Sequence, residues 1–258
     1  MIAIFESHRY WIEFLITMTE KEIKARYKLA VLGFLWIILN PVLQMLVIGM
    51  IFQFIVNSTI EHYFIFLLAG LLSWNFFSLT LMRNTAIIVN ERALIHKAKF
   101  PRESIVLSVV LANLFHTLIA YSFLSLIAVF FVSISFLKVV LFGVAVSQLL
   151  MITAGLSLFC SALNVRYRDV SFFVNAAVPL IFYCTPIVYT RAMLPEILQQ
   201  VLLLNPLTFS IEALQFVYTG SPDISIGSFL FSSFFCISTF TIGWLFFQKE
   251  SGNFDDWV

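Results

Sequence analysis

Six stretches of the chain are apolar and carry no Asp, Glu, Lys or Arg: residues 31–56, 63–82, 105–132, 139–163, 170–189 and 225–247. A helix crosses hydrocarbon in about 20 mostly apolar residues, so the pattern predicts six membrane-spanning helices. The flanks are polar or helix-breaking: Asn57-Ser58, Arg83, Pro101, Lys138, Arg166 and Lys249. Residues 1–28 read differently. Trp11, Phe14, Leu15 and Met18 fall at helical spacing on one face, with Glu13, Thr17, Glu20, Lys21 and Lys24 on others. This predicts an amphipathic helix in the membrane interface, or, more plainly, a short soluble helix packed on a partner. Tyr10 and Trp11 suit the headgroup zone. Charges recur too often for a signal peptide. Residues 190–224 are punctuated by Pro195, Pro206, Gly220 and Pro222. The apolar pieces between them, 198–204 and 209–218, are too short to cross. They predict two short helices that dip into the outer leaflet and return, capping or lining a cavity; a folded outer loop is the alternative.

Composition sets the class. The 258 residues are 61% hydrophobic and 11% charged, against about 45–50% apolar and about 25% charged in soluble domains. Lipid, not a larger core, removes the need for polar surface. The net charge of +1 gives no reason to expect nucleic acid. Placement of charge is more informative. With the N-terminus inside, 13 of the 15 Lys and Arg fall in cytoplasmic segments, and only Lys138 and Arg191 fall outside. That asymmetry orients the chain with both ends cytoplasmic. The expected layout is an interface helix, 1–28, and one six-span domain, 29–258.

Chemical motifs are few. There is no G-x-x-x-x-G-K-[ST], so the chain brings no phosphate-cradling loop. It has no H-E-x-x-H, no G-x-S-x-G and no carboxylate pair within a span. Cys160, Cys184 and Cys236 lie in apolar runs without CxxC spacing, so neither a metal nor a disulfide framework is expected. Gln44, Gln53, Asn113, His116, Gln148 and Asn175 are the polar positions noted within spans; such groups usually bond a neighbouring helix. His116 is either a satisfied packing residue or a hydrogen bonder lining a cavity. The basic loop 83–104 predicts a short amphipathic helix over 85–100, with Ile87, Ile88, Leu94 and Ile95 apolar and Pro101 ending it. It fits a loop on anionic lipid or a docking helix for a cytoplasmic partner.

Five motifs then fall in order. They are Arg26-Tyr27-Lys28 with Leu32-Gly33-Phe34-Leu35-Trp36 and Asn40-Pro41; Leu94-Ile95 with Phe100-Pro101-Arg102; Asn164-Val165-Arg166-Tyr167-Arg168-Asp169; Thr185-Pro186-Ile187-Val188-Tyr189; and Leu204-Asn205-Pro206-Leu207 with Glu212-Ala213. In this order and on this topology the chain resembles the membrane subunit of type-2 ABC exporters of the polysaccharide branch, which carry lipid-linked O-antigen, capsule or teichoic acid. Two positions depart from the pattern: Ala30 where Ser is common, and Gln215 where Arg is common.

The resemblance implies an all-α integral membrane protein of the bacterial cytoplasmic membrane, working as a homodimer with two copies of a separate ABC ATPase. ATP and Mg would bind that partner, and this chain would need no cofactor and catalyse no reaction. Residues 85–100 would be the coupling helix, with Glu91, Arg92, His96 and Lys97 facing the ATPase and Arg168 and Asp169 supporting it. The substrate would be a polysaccharide on polyprenyl diphosphate. Arg26 and Lys28, where the interface helix meets the first span, are candidates to attract the diphosphate, or serve only as positive-inside anchors. Trp36, Tyr183 and Tyr189 are the leading candidates to stack on sugar in the channel. The competing readings are an exporter of drugs or small lipids and an intramembrane glycosyl- or phospho-transferase. The latter needs paired acids, and Asp169, Asp255 and Asp256 make no convincing pair.

Overall fold

A computed structural model describes residues 2–27, 33–56, 60–97, 100–133, 135–221 and 224–254. Lys28, Ala30, Leu32, Asn57, Ser58, Ala98, Lys99, Pro222, Asp255 and Asp256 lie outside the described residues, as do the side chains of Phe34 and Lys97. The described chain is helical: α1 (Ile2–Tyr27), a 3-10 turn (Gly33–Leu35), α2 (Trp36–Val56), α3 (Tyr63–Thr85), α4 (Ile87–Asn90), α5 (Arg92–Lys97), α6 (Glu103–Ala128), α7 (Phe136–Arg166), α8 (Asp169–Tyr183), a second 3-10 turn (Arg191–Met193), α9 (Glu196–Leu203), α10 (Pro206–Thr219) and α11 (Ile226–Ser251).

Among the described residues, five helices are long and apolar enough to cross a membrane: α2, α3, α6, α7 and α11. The predicted span 170–189 is shorter as a helix. It ends at Tyr183, giving 15 residues, or about 22 Å. Pro186 cannot continue the helix, and residues 184–190 run on as irregular backbone. That backbone is covered by protein. Tyr63 Oη donates to the Val188 carbonyl at 2.9 Å and Gln215 Nε2 to the Ile187 carbonyl at 3.1 Å. Such cover is what makes non-helical chain tolerable at membrane depth.

The two short helices expected in residues 190–224 form as the prolines and glycine direct. α9 and α10 meet at 101°, the geometry of a broken span or a re-entrant pair. Asn205 makes the corner. Its Oδ1 accepts from Leu207 N–H at 3.0 Å, while its amide donates to Thr185 Oγ1 at 2.9 Å. Pro206 follows at the first helical position, where its missing N–H costs nothing. Gly220 closes α10 at φ 75°, a conformation that side chains resist.

α3 is the central helix, with 78% of its span buried against 11% for α2. α7 and α11 form the most extensive helix pair. Gly155 and Gly243 bring their backbones together, since a Cβ on Gly155 would stand 2.6 Å from the Thr239 carbonyl oxygen. Gln148 of α7 stitches the same pair together, donating to Ser233 at 2.7 Å and accepting from Ser232 at 3.1 Å, and ties it to α10 by accepting from Ser210 at 3.4 Å.

A second apolar cluster gathers at the end of the bundle that holds α4 and α5. It joins Met18, Ile87, Ile88, Ile95, Ile105, Val109, Leu158, Val165 and Phe247. The predicted helix 85–100 is therefore two short helices broken at Glu91, with Ile87, Ile88 and Ile95 buried. α1 is docked on protein along one side. Leu15 and Met18 are buried, Trp11 Nε1 donates to Glu103 at 3.1 Å, and Arg26 meets His116 at 2.9 Å. These two ties place α1 alongside α6, running in the same direction. Tyr10, Ile12 and Ile16 stay exposed on its other side.

Candidate functional site

A cavity of about 430 Å³ lies between α2, α3 and α6 and reaches the end of α1. Arg26, Trp36, Asn40, Asn75, Phe76, Asn113, His116 and Thr117 provide its polar and aromatic lining. No carboxylate is among the described residues that line it.

Its geometry follows from how the helices pair. α2 lies on α3 through Gln44, which accepts from Asn75 Nδ2 at 3.0 Å. α3 lies on α6 through Asn113, whose Nδ2 donates to Thr80 at 2.9 Å. Amides at these positions find partners on the neighbouring helix, and Asn75 and Asn113 also stand on the cavity wall. Arg26 Nη1 stands 2.9 Å from His116 Nδ1. A guanidinium has only donors, so Nδ1 accepts and the ring proton sits on Nε2. His116 thus holds Arg26 against the cavity while Trp36, 47% exposed, stands at its edge. A forked cation, neutral amides and an aromatic face can together receive an anionic, hydroxyl-rich group.

The other candidates are distributed. Lys28 lies outside the described residues. Tyr183 is 73% exposed on a face of α8 that also presents Phe172 and Phe173. Tyr189 Oη donates to the Tyr183 carbonyl at 2.8 Å, which places these two tyrosines together, outside the cavity lining. Phe182 packs into the bundle on Trp74, with ring centroids 5.5 Å apart.

At the α4–α5 end, Arg92, His96, Arg168 and Asp169 are exposed. Glu91 is tied inward, 3.4 Å from Lys21 Nζ on α1. The next residue, Glu22, is buried and pairs with Arg83 at the end of α3. Glu20 lies on the open side, its carboxyl held below the usual carboxylate range by the hydrogen bond from Lys24.

Sequence reasoning passed over Asn75 and Glu22. Asn75 was visible as an amide inside a span, a residue type that needs a partner there. Glu22 lies 61 residues from Arg83, and nothing local points to that pairing.

Comparison with known proteins places these elements. The ABC-2 type transporter family matches residues 13–219, a stretch containing the cavity helices and the α9–α10 pair. The O-antigen export system permease protein RfbA of Klebsiella pneumoniae is 34% identical over 203 residues, covering 77% of each chain. The O-antigen export system permease protein RfbA of Myxococcus xanthus is 31% identical over 206 residues, covering 79% of each.

Proposed function

The chain belongs to the ABC-2 type transporter family, and on that premise we propose that it is the membrane subunit of an ATP-driven exporter of lipid-linked polysaccharide. It works as a homodimer with two copies of a separate ABC ATPase. The end of the bundle bearing Arg83, Arg92, Arg166, Arg168 and Lys249 faces the cytoplasm, as do both termini. The relatives named for O-antigen export support the cargo class. The single observation that carries the site is Arg26, docked on His116 at the wall of a largely apolar cavity that also presents the amides of Asn40, Asn75 and Asn113 and has no carboxylate among its described lining residues.

A charge at the bilayer centre costs about 2.5–3.5 kcal/mol on the most lenient scale. Arg26 and the amides of Asn40, Asn75 and Asn113 replace part of the water that the diphosphate gives up. Lys28, two residues further along the sequence, is proposed as a second cation for the diphosphate. Trp36, Tyr183 and Tyr189 offer faces on which sugar rings slide. The ATPase, holding ATP and Mg, docks on α4 and α5 with Arg92, His96, Lys97, Arg168 and Asp169 at the contact. Movement there reaches the cavity through one helix. Lys21 holds Glu91, Glu22 holds Arg83, and Arg26 holds His116, all from the last two turns of α1. ATP does work only if it favours one arrangement of the dimer over the other.

The test replaces Arg26 and Lys28 with Gln and measures surface polysaccharide at matched protein level. Export should fall severalfold, and Arg26→Lys should recover part of it. Normal export by the double variant would remove the proposed diphosphate site.

A further inference from the structure

A smaller cavity of about 200 Å³ opens at the opposite end of the bundle, between the C-terminal ends of α6 and α10 and the start of α7. Ala128, Val132, Val139, Phe142 and Val217 make its walls. Its floor is the Ser125–Tyr218 hydroxyl pair, 2.8 Å apart, with Tyr218 stacked on Tyr121 beneath. Those hydroxyls bond each other, so a polar guest gains little from entering, whereas hydrocarbon fits the walls. Phe130, Phe136 and Leu137 are strongly exposed around this end, an apolar surface suited to hydrocarbon chains.

One cation stands at the cavity. Lys138 is among its lining residues, with Nζ 3.1 Å from the Ser133 carbonyl. The other basic residue assigned to this side, Arg191, is already neutralised by Glu212 at 2.6 Å. Lys138 also sits in the first turn of α7, where the helix field disfavours positive charge. An anion beside it removes that cost. The long lysine stem lets the ammonium reach the headgroup level while its methylenes stay on the apolar wall.

We propose that this slot is a binding site for an anionic phospholipid, with one acyl chain between α6, α7 and α10 and the headgroup phosphate on Lys138. It is separate from the transport cavity and does not depend on the cargo assigned above. Zwitterionic lipid carries its own cation beside the phosphate and gains less from Lys138.

The test is native mass spectrometry of the purified full chain, equilibrated in detergent with equal phosphatidylglycerol and phosphatidylcholine of matched chains. The chain should retain one lipid, favouring phosphatidylglycerol by about fivefold, the factor equivalent to about 1 kcal/mol per basic side chain near an anionic surface. Lys138→Gln, at a half-buried surface position, should bring the ratio close to one while a lipid is still retained. Ala128→Phe, which fills the slot, should release the lipid. Lys24→Gln, on the exposed side of α1, should change nothing. An equal ratio in the unaltered chain, a preference that survives Lys138→Gln, or its loss in Lys24→Gln would each overturn the site. If Ala128→Phe does not fold, the two lysine variants decide the matter alone.

Discussion

Replacing Gly155 by alanine should force α7 and α11 apart. The added methyl would stand 2.6 Å from the Thr239 carbonyl oxygen and 2.7 Å from the backbone of Phe240, well inside the 3.4 Å at which ordinary contact begins. Those neighbours are main chain, so no side chain can swing away. Overpacking of this kind typically costs about 1–3 kcal/mol. Separation would also stretch the Gln148 bonds to Ser233 and Ser232, and hydrogen bonds between membrane helices average about 0.6 kcal/mol each. The expected loss is therefore about 2–4 kcal/mol. Gly143, in the same helix, has nothing within 4 Å of its would-be Cβ. Gly143→Ala should stabilise by about 0.5–1 kcal/mol through helix propensity alone. Titrating SDS into mixed micelles and following the loss of near-ultraviolet dichroism compares the two variants directly. If Gly155→Ala proves as stable as Gly143→Ala, the close backbone approach is wrong.

Other outcomes follow from the same contacts. Glu212→Gln leaves the Arg191 guanidinium, 16% exposed, without its counter-charge, and should cost about 3–5 kcal/mol in the same titration; an unchanged midpoint would contradict the buried pair. Glu91→Lys should lower ATP-driven export with little loss of stability, because exposed pairs contribute about 0–1 kcal/mol. The double swap Lys21→Glu with Glu91→Lys should restore export, and failure to do so would remove α1 as the link from α5. Cysteines placed near Lys138 and Gly220 should react with an impermeant reagent from outside the cell, and one at Arg92 only after the membrane is opened; the reverse pattern would invert the orientation.

Most of the spans were readable because hydrocarbon imposes a simple rule: a long apolar run without charge. α3, α7 and α11 extend past the predicted limits by a few residues, since helices carry their first and last turns into the headgroup region, whereas α6 stops at Ala128, short of the predicted 132. The fifth span was misjudged in length. Hydropathy continues to Tyr189, but Thr185-Pro186 ends the helix, and apolar content does not distinguish helix from covered irregular chain. The corner at Asn205-Pro206 was legible because capping chemistry is local. The cavity was legible only in fragments. Arg26, Trp36, Asn113 and His116 stood out singly, and their convergence depends on α1 running beside α6, a tertiary fact. For His116 the two expected roles merge, since it satisfies Arg26 and lines the cavity at once. The apolar face of α1 was read correctly, but whether lipid or protein covers such a face is set by partners elsewhere in the chain, here α6.

The central claim is that this chain forms the membrane path for a polymer driven by a separate ATPase. It is tested most directly in vesicles holding the chain together with an ABC ATPase subunit, loaded on one face with lipid-linked O-polysaccharide. Polymer should become accessible to a lectin on the opposite face, only with hydrolysable ATP, and severalfold more slowly with Arg26→Gln. Transfer without ATP, or none when the ATPase is present and active, would contradict it.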